Sequence, residues 1–461
     1  MVYRGPVRAL PALADVTPTH AIAFGLVASV VTAALLASQR LVVGSVEGGW
    51  VYGYVARFHA AALLPWLAVA VVCAALLWSH PYLRRSSALL LTIWILAATG
   101  MHGLLRSYAP YELEALFVSP AANAFYTVTQ QHPPEDVLGK FARVRSTAPL
   151  HMRSNMPGKA MLLYGLETLT SRTELLAWVL VLVSNAGAVL MFLFVRDLFD
   201  DRTVAWHAAI LYLFVPARLF FLPLMNTVTP VVALAYAWLV VRWLRTGDWS
   251  YALASAVALY VLVFFEPLPL VLGLLFVALA WRAVSVGHLD VTRFALQGSA
   301  IVLGFIVIAE IVFFASNFNL IAAMRQIGKH AVEFNAVDGR PYGVWVRANL
   351  LEFAFGVGAC QLALWIWSLI DRLRARDRTS RFTEPLLMLS VVLPAIVLVT
   401  NLIGINRGEV LRLWIFLACF FQVPAAYATA RMDSRLVVWL IVVFTALPIS
   451  VAVAMIAFVV P

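Results

Sequence analysis

The chain has 461 residues, 63% hydrophobic and only 12% charged, with a mean hydropathy of +0.90 and a formal net charge of +10. So apolar a composition excludes a water-soluble globular domain, and continuous rather than alternating apolar runs exclude a β-barrel. The positive charge does not point to nucleic acid, because the arginines fall in short connections between apolar runs and report membrane orientation.

The reading is an all-α, polytopic transmembrane helix bundle of about 13 helices, one integral membrane domain over residues 1–461, with outer-face loops and short interfacial helices. Arg4 and Arg8 precede a first apolar helix near Ala21 to Ala37, read as uncleaved with a cytoplasmic N-terminus. An outer loop with Arg40, Glu47, Gly48, Gly49 and Trp50 follows. Helix two returns to Arg84 and Arg85, and helix three climbs to about Leu104. Residues 105–172 then form the first large extracytoplasmic loop, too long for a mere connector. It carries Glu112 and Glu114, the stretch Ser119 to Tyr126, Pro133-Pro134, an amphipathic piece from about Glu135 to Val144, and the cationic turn Pro149 to Lys159.

Closely paired helices are expected at about 174–195, 203–222, 228–244, 250–265 and 268–283, then one at about 295–315. A second extracytoplasmic loop at 317–349 holds Arg325, Lys329, His330, Glu333, Asp338, Arg340 and Tyr342. The last helices are expected at about 350–370, 385–403, 412–429 and 437–459, with the turn Gly404 to Arg412 facing outside. Arg196, Arg202, Arg242, Arg245, Arg372, Arg374, Arg376, Arg378, Arg381, Arg431 and Arg435 lie on the opposite side, as the positive-inside rule expects of cytoplasmic loops. Every long polar loop is therefore on one face, where any chemistry is expected. The placement is the cell membrane, crossed many times.

Ionisable groups at helix ends in a bilayer are functional candidates. Glu266, before Pro267, is either such a group or a solvated turn residue. Arg218 and Asn226 bracket an outer helix turn, and Arg218 alone reads as a headgroup-snorkelling arginine. Glu409 and Arg412, three positions apart with Arg407 just before them, share one helix face and suggest a phosphate clamp; the alternative is an exposed ion pair. Glu112 and Glu114 are either a general base or part of a divalent-metal site, or simply solvated glutamates. His132, His151 and His330 have no zinc-ligand spacing, and no cofactor is implied. Cys73, Cys360 and Cys419 read as buried small hydrophobes. Glu310 is the clearest charge within an apolar run.

The turn His151-Met152-Arg153-Ser154-Asn155-Met156-Pro157-Gly158-Lys159 opening a helix, the stretch Leu175 to Tyr212 with Val195-Arg196-Asp197-Leu198-Phe199, and the Arg407-to-Trp414 turn together resemble the lipid-linked-sugar glycosyltransferases of the GT-C fold. The likeness covers roughly residues 100–270 plus that last turn. It implies a polyprenyl-phosphate sugar donor, a glycan or lipid acceptor hydroxyl on the extracytoplasmic face, membrane lipids as surroundings, and inversion in one displacement. His151, Arg153, Asn155, Lys159, Asn123, Tyr126, Asn226, Glu266, Arg407, Glu409 and Arg412 would then contact substrate, with Arg153, Lys159, Arg407 and Arg412 as the phosphate-binding cations. Where relatives often place an aspartate before paired aromatics, this chain has Asn123, which is no base at ordinary pH. The implied base moves to Glu112, Glu114 or Glu47, or the fold persists without the chemistry. The alternatives are a lipid or polyisoprenoid transporter or flippase, or a silent scaffold in envelope assembly.

Overall fold

The computed structural model describes residues 17–83, 87–374 and 384–461. Arg4, Arg8, Arg84, Arg85, Arg376, Arg378 and Arg381 lie outside the described residues. Among those described, ten helices are long and apolar enough to cross a membrane, or eleven if one bent pair is a single span. The protein is thus a helical, multi-pass membrane protein.

Each expected apolar segment is helical, but three are not simple crossings. The apolar helices at Trp249–Phe265 and Ile415–Ala430 fall in the 10–17-residue class, short for a roughly 30 Å hydrocarbon core. The segment expected at 350–370 is broken into two helices that bend by 100°. The break falls at Gly358, whose φ of +101° an L side chain rarely adopts.

The order begins with α1 (Pro18–Ala37), a small hairpin of β1 (Gly44–Ser45) and β2 (Trp50–Val51), then α2 (Leu63–Leu83) and α3 (Ser87–Leu105). Residues 105–172 then hold six short helices: α4 (Leu113–Val118), α5 (Ala124–Gln131), α6 (Pro134–Gly139), α7 (Phe141–Thr147), α8 (Leu150–Arg153) and α9 (Gly158–Glu167). The amphipathic piece expected from Glu135 is therefore two helices, α6 and α7. These six form a folded cap. Phe117, Phe125, Val137, Met152 and Leu163 bury themselves in a second apolar core shared with Leu176, Tyr260 and Phe318 of the bundle.

The bundle continues with α10 (Thr173–Phe199), α11 (Arg202–Leu213), α12 (Pro216–Phe220), α13 (Thr229–Thr246), α14 (Trp249–Phe265), α15 (Gly273–Ser285) and α16 (Val291–Ser316). Caps set their ends. Asp201 accepts from the amides of Thr203 and Val204 to start α11, and Asp248 and Asp290 do the same for α14 and α16. At 27 residues, α10 is about 40 Å long, so the Arg196, Asp197, Asp200 and Arg245 cluster at its C-terminal end is far from the cap at its start. Glu310 is exposed on α16, six residues short of that helix's end at Ser316.

The second expected loop is largely helical: α17 (Leu320–Val337) is followed after a short turn by α18 (Tyr342–Val357). Then come α19 (Ala359–Arg374), α20 (Pro385–Ile403), α21 (Val410–Leu413), α22 (Ile415–Phe420), α23 (Gln422–Ala430) and α24 (Arg435–Met455). Cys73, Cys360 and Cys419 are buried and free.

Arg218 does not snorkel. It is fully buried, donating to Ser184 Oγ at 3.0 Å, Asn185 Oδ1 at 2.6 Å and the Leu213 carbonyl at 2.6 Å, over the Tyr212 ring. No carboxylate among the described residues pairs with it; carbonyl, amide and π acceptors spread its charge instead. Asn226 lies partly buried in the neighbouring Met225–Thr227 turn.

Gly158 explains why a Pro-Gly turn opens α9. A Cβ there would stand 2.5 Å from the Phe264 carbonyl oxygen and 2.7 Å from the Phe265 Cα, so only glycine lets α9 press on the end of α14. The neighbouring backbone cannot swing aside as a flexible side chain would. Gly158→Ala is therefore expected to destabilise the protein by about 1–3 kcal/mol. Gly165→Ala in the same helix, where the added methyl meets open space, should be neutral or stabilising by up to about 1 kcal/mol. Thermal unfolding of the two purified variants checks the contrast; equal losses would contradict it.

Candidate functional site

The cap turn and the Gly404-to-Arg412 turn, some 250 residues apart in sequence, meet in space. Arg412 Nη1 lies 3.0 Å from His151 Nε2, and Arg412 also pairs with Glu409. Glu409 accepts from Arg340 Nη2 at 2.9 Å, and Arg340 Nη1 donates to the Arg407 carbonyl at 2.7 Å. Arg407 returns the bond, donating to the Arg340 carbonyl at 2.9 Å. Among the described residues Arg407 makes no ion pair; its guanidinium lies over the Tyr342 ring.

These groups form one end of a cavity of about 400 Å³. Its polar lining includes His151, Asn155, Glu266, Arg340, Arg407, Glu409 and Arg412. Its other wall is apolar, with Leu268, Leu270 and Val271 leading into α15, and Met324, Ile327 and Phe334 from α17. The amphipathic face of α17 thus supplies hydrophobic length, while the turns supply charge. A space of this size and mixed lining suits part of an amphiphile with an anionic head.

Local geometry holds the cations in place. Arg340 is only 5% exposed, stacked between the Trp50 and Phe334 rings. Trp50 comes from the small hairpin, which is docked by Trp345: its indole donates to the Gly48 carbonyl at 3.1 Å and packs so closely on Gly48 and Gly408 that a Cβ on either would clash. Asn349 binds the turn from beneath, accepting from the Gly408 amide and donating to the Asn406 carbonyl. Glu409 itself sits at φ +58°, a left-handed conformation uncommon for a residue with a side chain. Two guanidinium groups over-determine it there.

Lys159 has a different role from the phosphate contact expected of it. It is fully buried, does not line the cavity, and pairs with Glu266 at 2.7 Å and Asn155 Oδ1 at 2.7 Å. Glu266 also accepts from Thr229 Oγ1 at 2.5 Å, so it is neither solvated nor free. Close packing at Gly158 delivers Lys159 to Glu266, and the pair fixes the cap to the end of α14. Asn155 joins the two layers, donating to the His151 carbonyl while accepting from Lys159.

The other expected residues do not join this cavity. Arg153 is exposed and donates to the Ala148 carbonyl, bracing the cap. Asn123 is buried, donating to the Phe117 carbonyl at 2.9 Å, and Tyr126 packs on the Phe117 ring. Glu112 and Glu47 are exposed, and Glu114 is bonded to Thr173 at the start of α10. None of Glu47, Glu112, Glu114, Asn123, Tyr126, Arg153 and Asn226 lines the cavity. Sequence reasoning named Arg340 only as a member of its loop and did not single out Glu352, a buried carboxylate of α18 whose Oε2 accepts from the Leu411 amide at 3.3 Å. The Asp338-Gly339-Arg340 turn between two polar segments was the only signal for the former. Among the described residues no three His, Cys, Asp or Glu side chains group as metal ligands.

Electrostatics set the protonation states. Burial, then the Arg412 guanidinium, pushes the His151 imidazole down to about 3, so it is neutral at ordinary pH. Burial opposes ionisation of Glu409, but Arg412 and Arg340 outweigh it and hold the carboxyl below its usual range. Burial lowers the Lys159 ammonium, and Glu266 partly restores it.

No protein-family model matches the chain, and a search of curated proteins finds no significant relative.

The buried pair predicts a double-mutant signature. Lys159→Ala leaves a buried carboxylate uncompensated and should cost about 3–5 kcal/mol, whereas Lys159→Met combined with Glu266→Gln should recover most of the loss. Additive losses in thermal or denaturant unfolding would contradict the pairing. His151 predicts a pH effect. Its folded pKa lies below the unfolded value of about 6.5, so the unfolded chain binds more protons as pH falls, and stability is lost from about pH 6.5 downward. The unfolding midpoint of the wild type should fall more steeply between about pH 6.5 and pH 4 than that of His151→Gln; parallel curves would contradict it.

Proposed function

We propose that the cavity holds the phosphate of a polyprenyl-phosphate-linked sugar, and that the protein is a membrane glycosyltransferase of the GT-C kind. The observation that supports this is the convergence of Arg340, Arg407 and Arg412 on one end of a cavity whose remaining wall is apolar. Three guanidiniums face two carboxylates there; Glu266 is already neutralised by Lys159, and Arg340 also pairs with Asp338 at 3.1 Å, which leaves one positive charge in excess. The excess positive charge suits a lipid phosphate, which guanidinium groups bind with directional, charge-assisted bonds. Arg407, free of any carboxylate among the described residues, is the first contact; Arg412 exchanges part of its bond to Glu409 for the incoming anion. In this reading the cap and the two turns face the extracytoplasmic side of the cell membrane, opposite the arginine-rich connections, and the N-terminus is cytoplasmic. The acceptor is a glycan or lipid hydroxyl.

A specific observation favours a second reading, a carrier or flippase for the same lipid. Both carboxylates lining the cavity are bound in ion pairs, so neither stands free there to take the acceptor's proton.

Arg407→Ala and Arg412→Gln should each weaken binding of a polyprenyl phosphate by about 10- to 100-fold, with binding of the neutral polyprenol little changed. Unchanged phosphate affinity in both variants removes the proposal. Sugar transfer by the purified wild type supports the transferase, while lipid movement across liposomes without transfer supports the carrier.

A further inference from the structure

A second cavity, of about 300 Å³, lies behind α18. It is walled by Ser29 and Thr32 of α1, Val42 to Gly44 leading into the hairpin, Phe220 of α12, the α18–α19 bend, and Thr445, Pro448 and Ile449 of α24. Its rim carries Val42 and Leu351, both apolar and strongly exposed. The lining is overwhelmingly apolar, and its hydroxyls are already engaged: Ser29 with Cys360 Sγ, Thr32 with the Ala28 carbonyl, and Thr445 with the Ile441 carbonyl. One polar group remains. Glu352 is 2% exposed and lines this cavity; its Oε2 accepts from the Leu411 amide, but its Oε1 is buried without a hydrogen-bond partner among the described residues.

An unpartnered buried carboxylate oxygen is costly unless something donates to it. The apolar surroundings determine what that donor is attached to. An ammonium would bring three N–H groups to a place with one open acceptor, leaving two unsatisfied. A hydroxyl brings a single donor and no charge.

We propose that this cavity is a binding site for an amphiphilic alcohol, its hydroxyl donating to Glu352 Oε1 and its apolar body filling the space between α1, α18 and α24. Helix α18 links this cavity to the first: Glu352 lines it, and Asn349 and Glu352 hold the backbone of the turn that carries Arg407 and Arg412. Under the transferase reading, and resting on it, the alcohol is the acceptor. The binding itself does not depend on that reading.

The test uses the full chain in lipid nanodiscs and decan-1-ol bearing a terminal diazirine, with labelled peptides mapped by mass spectrometry. Labelling is expected on α1, α18 or α24, displaced by decan-1-ol but not by decane or decylammonium. Glu352→Leu should weaken displacement by about tenfold or more. Thr32→Trp, which fills the cavity and leaves the carboxylate intact, should abolish labelling and decides the matter should Glu352→Leu fail to fold. Labelling elsewhere, equal competition by decane, better competition by decylammonium, or a fully retained signal in Thr32→Trp overturns the proposal. Polyprenyl phosphate binding is measured on the same preparation. If it persists without alcohol labelling, only this inference fails; if the reverse holds, only the phosphate reading fails.

Discussion

Glu409 is the joint on which the candidate site depends. Its two oxygens are shared between Arg340, which precedes α18, and Arg412, which reaches across to His151 of the cap. Three stretches of chain with no sequence proximity are thereby held within one hydrogen-bonded network. Without the carboxylate, Arg340 and Arg412 would stand as like charges at the mouth of an apolar cavity and repel one another. With it, the cations keep fixed positions while retaining a net positive field, the condition for binding an anion with little reorganisation.

The rest of the architecture serves that network. The hairpin contributes Trp50 as a lid on Arg340 and Gly48 as the seat of Trp345; α18 contributes Asn349 and Glu352 as supports under the turn. The Lys159–Glu266 pair fastens the cap from the other side. Buried Lys159 and Arg340 are matched by opposite charges and Arg218 by a ring and three acceptors, while buried Glu352 keeps one oxygen unpaired. Desolvation makes any mismatch costly in such a protein.

Much of this was legible in the sequence. Apolar runs of span length revealed the helices, because backbone groups in a bilayer leave few alternatives. The grouping of Arg407, Glu409 and Arg412 was visible because local spacing on a turn needs no tertiary knowledge. The break in α18–α19 was not foreseen: Gly358 lies in an unbroken apolar run, and hydropathy does not sense φ. Lys159 was misassigned for a related reason. A lysine after Pro-Gly reads as an exposed loop cation, whereas its partner Glu266 is over a hundred residues away and the close approach at Gly158 is a tertiary fact. Glu352 was missed because a single carboxylate within a helix gives no local sign that one of its oxygens is unpaired.

The central claim, that Arg340, Arg407 and Arg412 together hold a lipid phosphate, is tested most directly by a cryo-electron microscopy map of the full chain in nanodiscs with a polyprenyl-phosphate sugar. The account predicts phosphate density within hydrogen-bonding distance of Arg407 and Arg412, with the isoprenoid chain running along Leu270, Val271 and Ile327. Phosphate density outside this cavity, or an Arg412 still bonded only to Glu409 and His151 in the lipid-bound protein, would contradict it.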